Sequence, residues 1–347
     1  EFFNERNHTF VPSSSLVPGG DQPLLFTNAG MVQFKDVFLG TENRPYNRAV
    51  NSQKCMRVSG KHNDLDDVGR DNYHHTFFEM LGNWSFGDYY KKEAISWAWE
   101  LLTNVWGIDK DKLWVTCFKD EKGEIPTDLE AYENWKSQPG IKPSQIVYFG
   151  RKDNFWEMAE NGPCGPCSEI HIDRGVDHCD RGEDPTHICG VNGDCHRFLE
   201  LWNLVFIQYN RMSPTNLAPL PACHVDTGMG FERSVAGLQD VDSNYRTDLL
   251  LPLMDVVMKI CKHSEAEREN FFTPYRVIAD HCRAASFLIA DGVVPGNVGR
   301  NYICRMIIRR AARFGSKIGL EKPFLGQVAR KVIEIYGGAY PEIKKNE

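Results

Sequence analysis

Hydrophobic and polar positions follow two different patterns along the chain. Before residue 240, short apolar runs such as "KLWVTCF" (112–118) and "IVYFG" (146–150) predict strands. Between the strands, "KKEAISWAWELLTNVWGI" (91–108) has apolar residues at helical spacing, and "TDLEAYENWKS" (127–137) predicts a helix capped by Thr127. Strands and helices therefore mix without the regular alternation of a doubly wound parallel sheet.

Segments 23–31 and 46–58 predict strands or strand-flanking segments, and segment 76–86 predicts a further strand. Beyond that point we find helical periodicity and no convincing strand. The helical segments are "YRTDLLLPLMDVVMKICKH" (245–263), "PYRVIADHCRAASFLIADG" (274–292) and "RNYICRMIIRRAARFG" (300–315). We therefore predict an α+β fold, with a largely antiparallel sheet flanked by helices in residues 1–240 and an all-helical domain in residues 241–347.

One predicted strand carries polar residues that a buried strand does not normally contain. In "HHTFFEMLGNWSFGDYYK" (74–91), His74, His75 and Glu79 interrupt a largely apolar and aromatic run. A polar group on a buried strand is costly unless it has a hydrogen-bond partner or a ligand. This segment therefore suggests the floor of a binding site.

Composition narrows the class of protein. The chain of 347 residues is 41% hydrophobic and 25% charged, which is typical of a globular protein with a large core. No apolar stretch approaches the ~18 residues of a membrane span, and Glu1–His8 is too charged for a signal peptide. The eleven scattered cysteines are an odd number, which favours reduced thiols. We expect a cytoplasmic or organellar location and no membrane partner.

The formal net charge of −7 argues against nucleic acid, but positive charge is concentrated in residues 300–322. The basic residues there are Arg300, Arg305, Arg309, Arg310, Arg313, Lys317 and Lys322. Their helical spacing suits either an RNA-binding face or an ordinary solvated helix face, and the sequence leaves both readings open.

Two polar clusters have the residues needed to bind anions and amines. In "CMRVSGKHNDLDDVGR" (55–70), Arg57 follows a predicted strand and suits a phosphate, although a surface loop with ion pairs is an equal alternative. Neither a Walker motif nor a G-x-G-x-x-G fingerprint is present. In "HVDTGMGFERSVAGLQ" (224–239), Asp226 precedes a glycine-rich turn and Arg233. A carboxylate for an amino group beside an arginine for a phosphate suits an aminoacyl adenylate.

Long motifs in these regions resemble the aminoacylation domain of alanyl-tRNA synthetases, a class II family. The matching segments are "SQKCMRVSGKHNDLDDVGRDNYHHTFFEMLGNWSFGDYYK", "DNFWEM", "NGPCGPCSEI", "LELWNLVFIQYNR", "VDTGMGFERSVAGLQ", "RVIADHCRAASFLIADGVVPGN" and "RNYICRMIIRRAARFG". By resemblance, "NHTFVPSSS" is the first class II motif, Arg57 to Phe86 the second and "GMGFER" the third. The resemblance implies a class II antiparallel sheet.

The resemblance also assigns roles at an ATP site. Arg57 is expected to bind the α-phosphate, His75 to contact the nucleotide and Glu79 to form the pocket floor. Phe78 is expected to stack on adenine opposite Arg233, although a core role for the ring is an equal alternative. The full set of expected ATP contacts is Arg57, His75, Phe78, Trp156, Leu201, Trp202, Asn203, Gly230 and Arg233. Arg57 and Arg233 are the expected catalytic residues, acting with Mg²⁺ on the phosphates.

For L-alanine, the resemblance implies that Asn203 binds on the carboxylate side and Asp226 binds the amino group. Trp156 and Gly228 complete the expected alanine site. Alanine then attacks ATP, releases pyrophosphate and passes to the terminal ribose of tRNA(Ala). The small pocket rejects larger side chains but discriminates weakly against glycine and serine. The family corrects such errors in an editing domain that this chain does not include, so we read it as a fragment or naturally short form, expected to be monomeric.

Segment "GNVGRNYICRMIIRR" (296–310) matches the part of the family that approaches the tRNA acceptor stem. Arg300, Arg305 and Arg309 are the expected phosphate contacts, which position RNA without reading its sequence. Asn301 stands where a glycine is common in the family, so the residue that reads the stem base pair is not identified.

Cysteines and histidines concentrate between residues 164 and 196. Cys179, Cys189, Cys195 and His196 are the candidate zinc ligands, in what resembles a variable insertion. The alternative is reduced cysteines that do not converge, since their spacing fits no zinc finger closely. In "GPCGPCSEI" (162–170), a backbone turn explains the C-x-x-C spacing as well as a metal does.

Two other functions stay open at this point. The chain could form alanyl adenylate but pass alanine to a carrier protein or small acceptor, a reading against which the basic segment 300–322 counts. It could also be an inactive paralogue that binds RNA, against which the presence of Arg57, His75, Asp226 and Arg233 counts.

Overall fold

A computed structural model describes residues 1–19, 24–59, 62–158, 161–213 and 216–346. The chain forms two compact units that interleave in sequence. Unit 1 comprises Glu1–Pro12, Gln33–Ser52 and Leu81–Gly230, and unit 2 comprises Ser13–Val32, Gln53–Met80 and Phe231–Glu347. Ser13–Val32 and Gln53–Met80 thus belong with the C-terminal helices. The compact units therefore do not follow a single linear division near residue 240. The functional division into residues 1–240 and 241–347 stays a prediction.

The strands alternate hydrophobic and polar residues where one face is covered. They are β1 (Thr9–Phe10), β2 (Arg48–Met56), β3 (Val58–Ser59), β4 (His62–Asn63), β5 (Phe77–Phe86), β6 (Leu113–Phe118), β7 (Ile146–Phe149), β8 (Phe155–Glu157), β9 (Gly162–Asp173), β10 (Phe198–Ser213) and β11 (Asn216–Gly230). In the part of the chain that is described, nine of them form a sheet in the order β1-β2-β5-β11-β10-β9-β6-β7, with β8 paired to β9. Strands β3 and β4 form a separate antiparallel pair.

Antiparallel pairing joins the central strands β9, β10 and β11, and also attaches β6 and β8 to β9. Parallel pairs occur at the two ends of the sheet, β1 with β2 and β6 with β7. The predicted α+β class, with a largely antiparallel sheet, is confirmed. Antiparallel strands alternate their side chains across the sheet, so one face can form a site while the other packs in the core.

The helices differ in length between the two units. In unit 1 they are α1 (Lys35–Phe38), α2 (Lys91–Glu100), α3 (Leu129–Lys136) and α4 (Arg151–Asn154). In unit 2 they are α5 (Phe231–Leu238), α6 (Leu251–Cys261), α7 (Glu265–Asn270), α8 (Phe272–Ala290), α9 (Gly299–Lys317), α10 (Leu325–Tyr336) and α11 (Pro341–Lys345). The predicted helical C-terminal region is therefore confirmed, and α8 is its most buried helix.

The core of unit 2 explains why early segments join the late helices. Phe77 of β5 is fully buried and stacks on Phe287 of α8, with ring centroids 4.1 Å apart. Leu16 and Phe26 lie in the same apolar cluster. Burying each such aromatic side chain stabilises the fold by about 2 to 3 kcal/mol. The early segments therefore pack with the late helices, although the two are distant along the chain.

Residues 24–31 form no strand but flank one, because Thr27 makes isolated backbone bonds to Leu16 and to Met56 of β2. Two local predictions are wrong. Helix α3 is capped by Asp128 instead of Thr127, since the Asp128 carboxylate accepts the Ala131 N–H at 3.0 Å. The "GPCGPCSEI" segment lies in β9 and is not a turn.

Candidate active site

In unit 1, residues from three strands share one face of the sheet, here called the front face. The register pairs Val205 with Asp226 and Asn203 with both Gly228 and Glu169. Directly paired residues project their side chains to the same side. The front face therefore presents two carboxylates and an amide, and Gly228 adds no side chain to it.

Asp226 is held on the front face by an indole. The Trp84 Nε1–H donates to Asp226 Oδ1 at 2.6 Å, and Trp84 is fully buried. Burial raises the pKa of Asp226 to about 7, although the Trp84 hydrogen bond opposes the shift. Gly82 is needed beneath this pair, because a Cβ there would lie 2.3 Å from the Trp84 ring. The carboxylate is thus fixed in position and suited to a cation that restores its charge.

Asn203 offers an unpartnered polar atom beside Asp226. Its amide contacts the buried Cys167 thiol, while its Oδ1 atom is buried and has no hydrogen-bond partner among the described residues. A buried acceptor without a partner costs free energy that a ligand donor recovers. Together, Asp226 and Asn203 suit a small molecule that carries an ammonium group.

Trp202 lies on the opposite face of the sheet from Asn203. It pairs with Met229, and both line a cavity of about 290 Å³ together with Phe2 and Phe3. The Trp202 ring therefore faces this cavity, because adjacent strand residues alternate faces, and its expected ATP contact stays a prediction.

Leu201 falls in a register irregularity of β10 and is buried, and Trp156 lies half-buried in β8 opposite Gly165. Their expected ligand contacts stay predictions.

In unit 2, Arg57 follows β2 and is half-buried. Its Nε–H donates to the Asn28 carbonyl at 3.2 Å, and its guanidinium lies 4.9 Å from the centroid of the Phe78 ring. This contact orients the guanidinium while leaving it partly accessible. Phe78 is half-buried on β5, so its expected stacking on adenine stays a prediction.

His75 is buried with both ring nitrogens engaged. The Asn244 amide donates to Nε2 at 3.0 Å, which leaves the proton on Nδ1 for Asp280 Oδ1 at 3.2 Å. Asp280 also accepts from the Thr76 N–H and from His281. Burial acts to raise the pKa of Asp280, but its donors hold that pKa well below the usual range. The expected nucleotide contact of His75 stays a prediction, and its observed role is to anchor β5.

Glu79 and Glu232 are also buried, and each has partners. Arg283 of α8 donates to Glu232 Oε1 at 2.6 Å and to the Phe77 carbonyl at 2.6 Å. Glu232 in turn accepts the Glu79 N–H, while the Tyr340 hydroxyl donates to the Glu79 carboxylate. The glutamates of the second and third motifs thus fix the backbone that carries Phe78 and Arg233, and the expected place of Glu79 in the pocket floor stays a prediction.

Arg233 lies in the first turn of α5, directly after Gly230 ends β11. It is half-buried, and its guanidinium lies 5.1 Å from the centroid of the Tyr73 ring. A guanidinium at a helix N-terminus adds to the positive potential there, which favours an anionic ligand. This placement suits the expected phosphate contact, which nothing here tests directly.

The basic residues of α9 divide between solvent and protein. Arg305, Arg309 and Arg313 are exposed on one face of the helix. Arg310 instead donates to His281 at 2.7 Å, and Arg300 donates to the carbonyls of Leu24 and Leu25. Of the three arginines predicted to contact RNA, Arg305 and Arg309 project to solvent, whereas Arg300 is committed to the protein.

The cysteine-rich loop brings four ligand atoms together. Those of Cys179, His187, Cys189 and Cys195 all lie within 4.8 Å of one another. The prediction of His196 as the fourth ligand is wrong, because its ring faces Asp180 at 3.6 Å. His187 directs Nε2 towards Cys189 Sγ at 3.4 Å, while its Nδ1 lies 3.1 Å from Asp194. A histidine oriented by a carboxylate is typical of a zinc ligand.

Several residues of these clusters were not singled out from sequence, namely Trp84, Glu169, Asp280 and Arg283. Three of them are charged residues inside apolar segments, and that is a usable signal, because a buried charge needs a partner. Trp84 gave no such signal, since an aromatic residue in a strand is ordinary.

No helix in the described ranges is both long and apolar enough to cross a membrane.

A sequence profile for tRNA synthetases class II (A) matches residues 1–347. Alanine–tRNA ligase of Chlorobaculum tepidum is 51% identical over 349 residues, covering 100% of this chain and 38% of that protein. Alanine–tRNA ligase of Roseiflexus castenholzii is 53% identical over 344 residues, covering 99% and 37%.

The chain therefore spans less than two fifths of the length of these relatives. Among solved structures, apo histidyl-tRNA synthetase of S. aureus matches with a TM-score of 0.38 and 10% identity, covering 69% of this chain and 64% of that one.

Proposed function

The chain belongs to the class II tRNA synthetases, and on that premise we propose that it activates L-alanine with ATP and transfers the alanyl group to the 3′ end of tRNA(Ala). The relatives named above are alanine–tRNA ligases, and the chain matches them over nearly its whole length. It covers only part of each relative, so the activity of the complete protein is carried over here as a proposal.

The observation that carries the proposal is the pair of polar groups beside Gly228. Asp226 is a buried carboxylate, and Asn203 Oδ1 is a buried acceptor without a partner in the described part of the chain. The ammonium group of alanine provides donors for both, so Asn203 Oδ1 is proposed to face the ammonium group rather than the carboxylate side that the resemblance implied. Gly228 adds no side chain there, which suits a small amino acid. Once Asp226 is ionised, its buried carboxylate attracts the ammonium group more strongly than an ordinary surface carboxylate does.

ATP enters with Mg²⁺ already bound to its phosphate oxygens, so we treat MgATP as a substrate. The alanine carboxylate attacks the α-phosphorus, a new phosphorus–oxygen bond forms, and the bond to the β-phosphate breaks to release pyrophosphate. Arg57 and Arg233 offset the charge that develops on the phosphates, and Phe78 provides a stacking surface for adenine. Gly230, Trp156 and Leu201 are proposed as further nucleotide contacts, and His75 as a residue that acts through its anchoring of β5.

The acceptor is proposed to be transfer RNA because of the exposed face of α9. Arg305 and Arg309 are exposed and can bind phosphates of an acceptor stem, although Arg305 also donates to the side chain of Asn297. We assign Arg300 a smaller part, since it already binds two carbonyl groups. The proposed place of action is the cytoplasm.

Zinc is the proposed occupant of the cysteine-rich loop. Three sulfur atoms and one imidazole nitrogen form the donor set preferred by structural zinc, and the separation of 3.9 Å between Cys189 Sγ and Cys195 Sγ suits two corners of a tetrahedron. Four protein ligands leave no open position, so the metal holds the loop together and takes no part in the chemical step.

Alanine-dependent exchange of labelled pyrophosphate into ATP, without RNA, tests the first step. We expect exchange by the native chain, a loss of at least 100-fold in Arg57→Ala and Asp226→Ala, and native exchange in Arg330→Ala, whose side chain is exposed on α10. Folding of each variant is checked by circular dichroism. Absence of exchange from folded native chain contradicts the proposal and favours an RNA-binding paralogue.

A further inference from the structure

Glu169 is a second carboxylate on the front face, and no role has been assigned to it. It pairs in register with Asn203 and is only 7% exposed. Its backbone N–H donates to Thr116 Oγ1 at 2.9 Å, which fixes the main chain at this position. Its side chain therefore lies beside the amide that we assign to alanine binding.

Two donors orient the Glu169 carboxylate. His171 Nε2 lies 3.0 Å from Glu169 Oε2, and the Asn192 amide donates to the same oxygen at 2.8 Å. His171 belongs to the same strand, β9, so its position follows from the sheet. Asn192 belongs to the cysteine-rich loop, 23 residues further along the chain, and its position depends on how that loop folds.

The four-ligand cluster brackets Asn192. Cys189 lies three residues before it and Cys195 three residues after it, and both are ligand candidates. Asn192 itself has a left-handed backbone with φ of 55°, a conformation that asparagine and glycine adopt more readily than other residues. A metal that draws the two cysteines together therefore also sets the path of the tight turn that presents the Asn192 amide.

We propose that Asn192 is a positioning residue for alanine binding: it fixes Glu169 beside Asn203, and metal in the Cys179–His187–Cys189–Cys195 cluster holds Asn192 in place. Glu169 then contributes negative potential that attracts the ammonium group of the amino acid, in addition to Asp226. Loss of the Asn192 bond frees the carboxylate to turn away, which weakens alanine binding and leaves ATP binding unchanged. This inference rests on the proposed function and adds a link between the loop and the amino-acid site.

The test uses Asn192→Gly, because glycine accepts the left-handed backbone and removes only the amide. Pyrophosphate exchange on zinc-loaded protein is expected to show an alanine KM raised three- to tenfold, with kcat and the KM for ATP unchanged. Zinc content, measured by atomic emission, is expected to equal that of the native chain. Ile188→Ala is the matched control, since this residue of the same loop is 87% exposed.

Chelation provides the second arm of the test. Removing zinc from the native chain is expected to raise the alanine KM by the same factor as Asn192→Gly, and removing it from Asn192→Gly is expected to add nothing. An unchanged alanine KM in zinc-loaded Asn192→Gly overturns the inference, as does a further rise when that variant is chelated. Absence of exchange from the native chain is a separate result, which overturns the proposed function instead.

Discussion

The Trp84 indole donates a hydrogen bond of 2.6 Å to the Asp226 carboxylate, and both side chains are buried. An indole is a donor without an acceptor, so it stabilises the ionised carboxylate and cannot replace its charge partner. Asp226 is thus oriented but left with a raised pKa. The hydrogen bond thus fixes the position of the Asp226 carboxylate but does not neutralise its negative charge. A cationic ligand supplies the missing positive charge.

Alanine binding should depend on pH through Asp226. Its pKa is about 7 in the unliganded protein, and the ionised form is the one that attracts ammonium. We expect the alanine KM in pyrophosphate exchange to fall about tenfold per pH unit between pH 5.5 and 6.5 and to level off above pH 7.5. The KM for ATP, measured at saturating alanine, serves as the internal control. A flat alanine profile across this range contradicts the assignment of Asp226.

Asp226→Asn should make the unliganded protein more stable at pH 8. The folded-state pKa of Asp226 is raised from 3.8 to about 7, so the stability it contributes is full below pH 4 and is lost as pH rises to 7. Asparagine removes this cost, and we expect a gain of about 2 to 4 kcal/mol at pH 8 that disappears near pH 4. Urea unfolding at both pH values measures it. Equal destabilisation at both pH values would argue for lost packing instead.

Substitutions of the buried ion pair of unit 2 should have non-additive effects on the free energy of unfolding. Arg283 and Glu232 are 2.6 Å apart and almost inaccessible to solvent. Arg283→Met leaves Glu232 as an uncompensated buried charge, so we expect a loss of about 3 to 5 kcal/mol. Adding Glu232→Gln to that variant should restore about 1 to 2 kcal/mol by removing the charge. Equilibrium unfolding in urea measures both, and strict additivity of the two single substitutions contradicts the prediction.

Zinc binding should distinguish two histidines of the same loop. His187→Ala removes a ligand of the four-atom cluster, whereas His196→Ala removes a pairing with Asp180 and no atom of that cluster. We expect zinc affinity to fall at least 100-fold in His187→Ala and to stay within threefold of native in His196→Ala. Competition with a colorimetric chelator measures the affinities. A larger loss of zinc affinity in His196→Ala than in His187→Ala would instead support the ligand set expected from sequence.

Sequence patterns predicted the elements whose reason is local. Apolar spacing identified α2, β6 and β7, and the polar residues within "HHTFFEMLGNWSF" correctly indicated that His75 and Glu79 need partners. Those partners, Asp280 for His75 and Tyr340 for Glu79, lie 205 and 261 residues away along the chain. No local pattern could identify them, because the pairing depends on how α8 and α11 pack in unit 2.

For two candidate site residues, the direction of the side chain depends on the fold and not on the neighbouring residue in the sequence. Trp202 stands next to Asn203 in the matching motif, yet strand alternation places its ring in the cavity on the other face of the sheet. His196 stands next to Cys195, yet His187 completes the cluster because the loop folds back on itself.

Residue identity and spacing by themselves determined the class of fold and its signature motifs, because strand and helix periodicity arises from the nearest turns of the chain. They also singled out Arg57, Asp226 and Arg233, while Asn203 was implied by the resemblance of the long motifs. The tertiary structure alone decided the interleaving of the two units, the face to which each side chain points and the partners of buried charges. Those features depend on packing between distant segments, where burial and desolvation energies exceed any local preference.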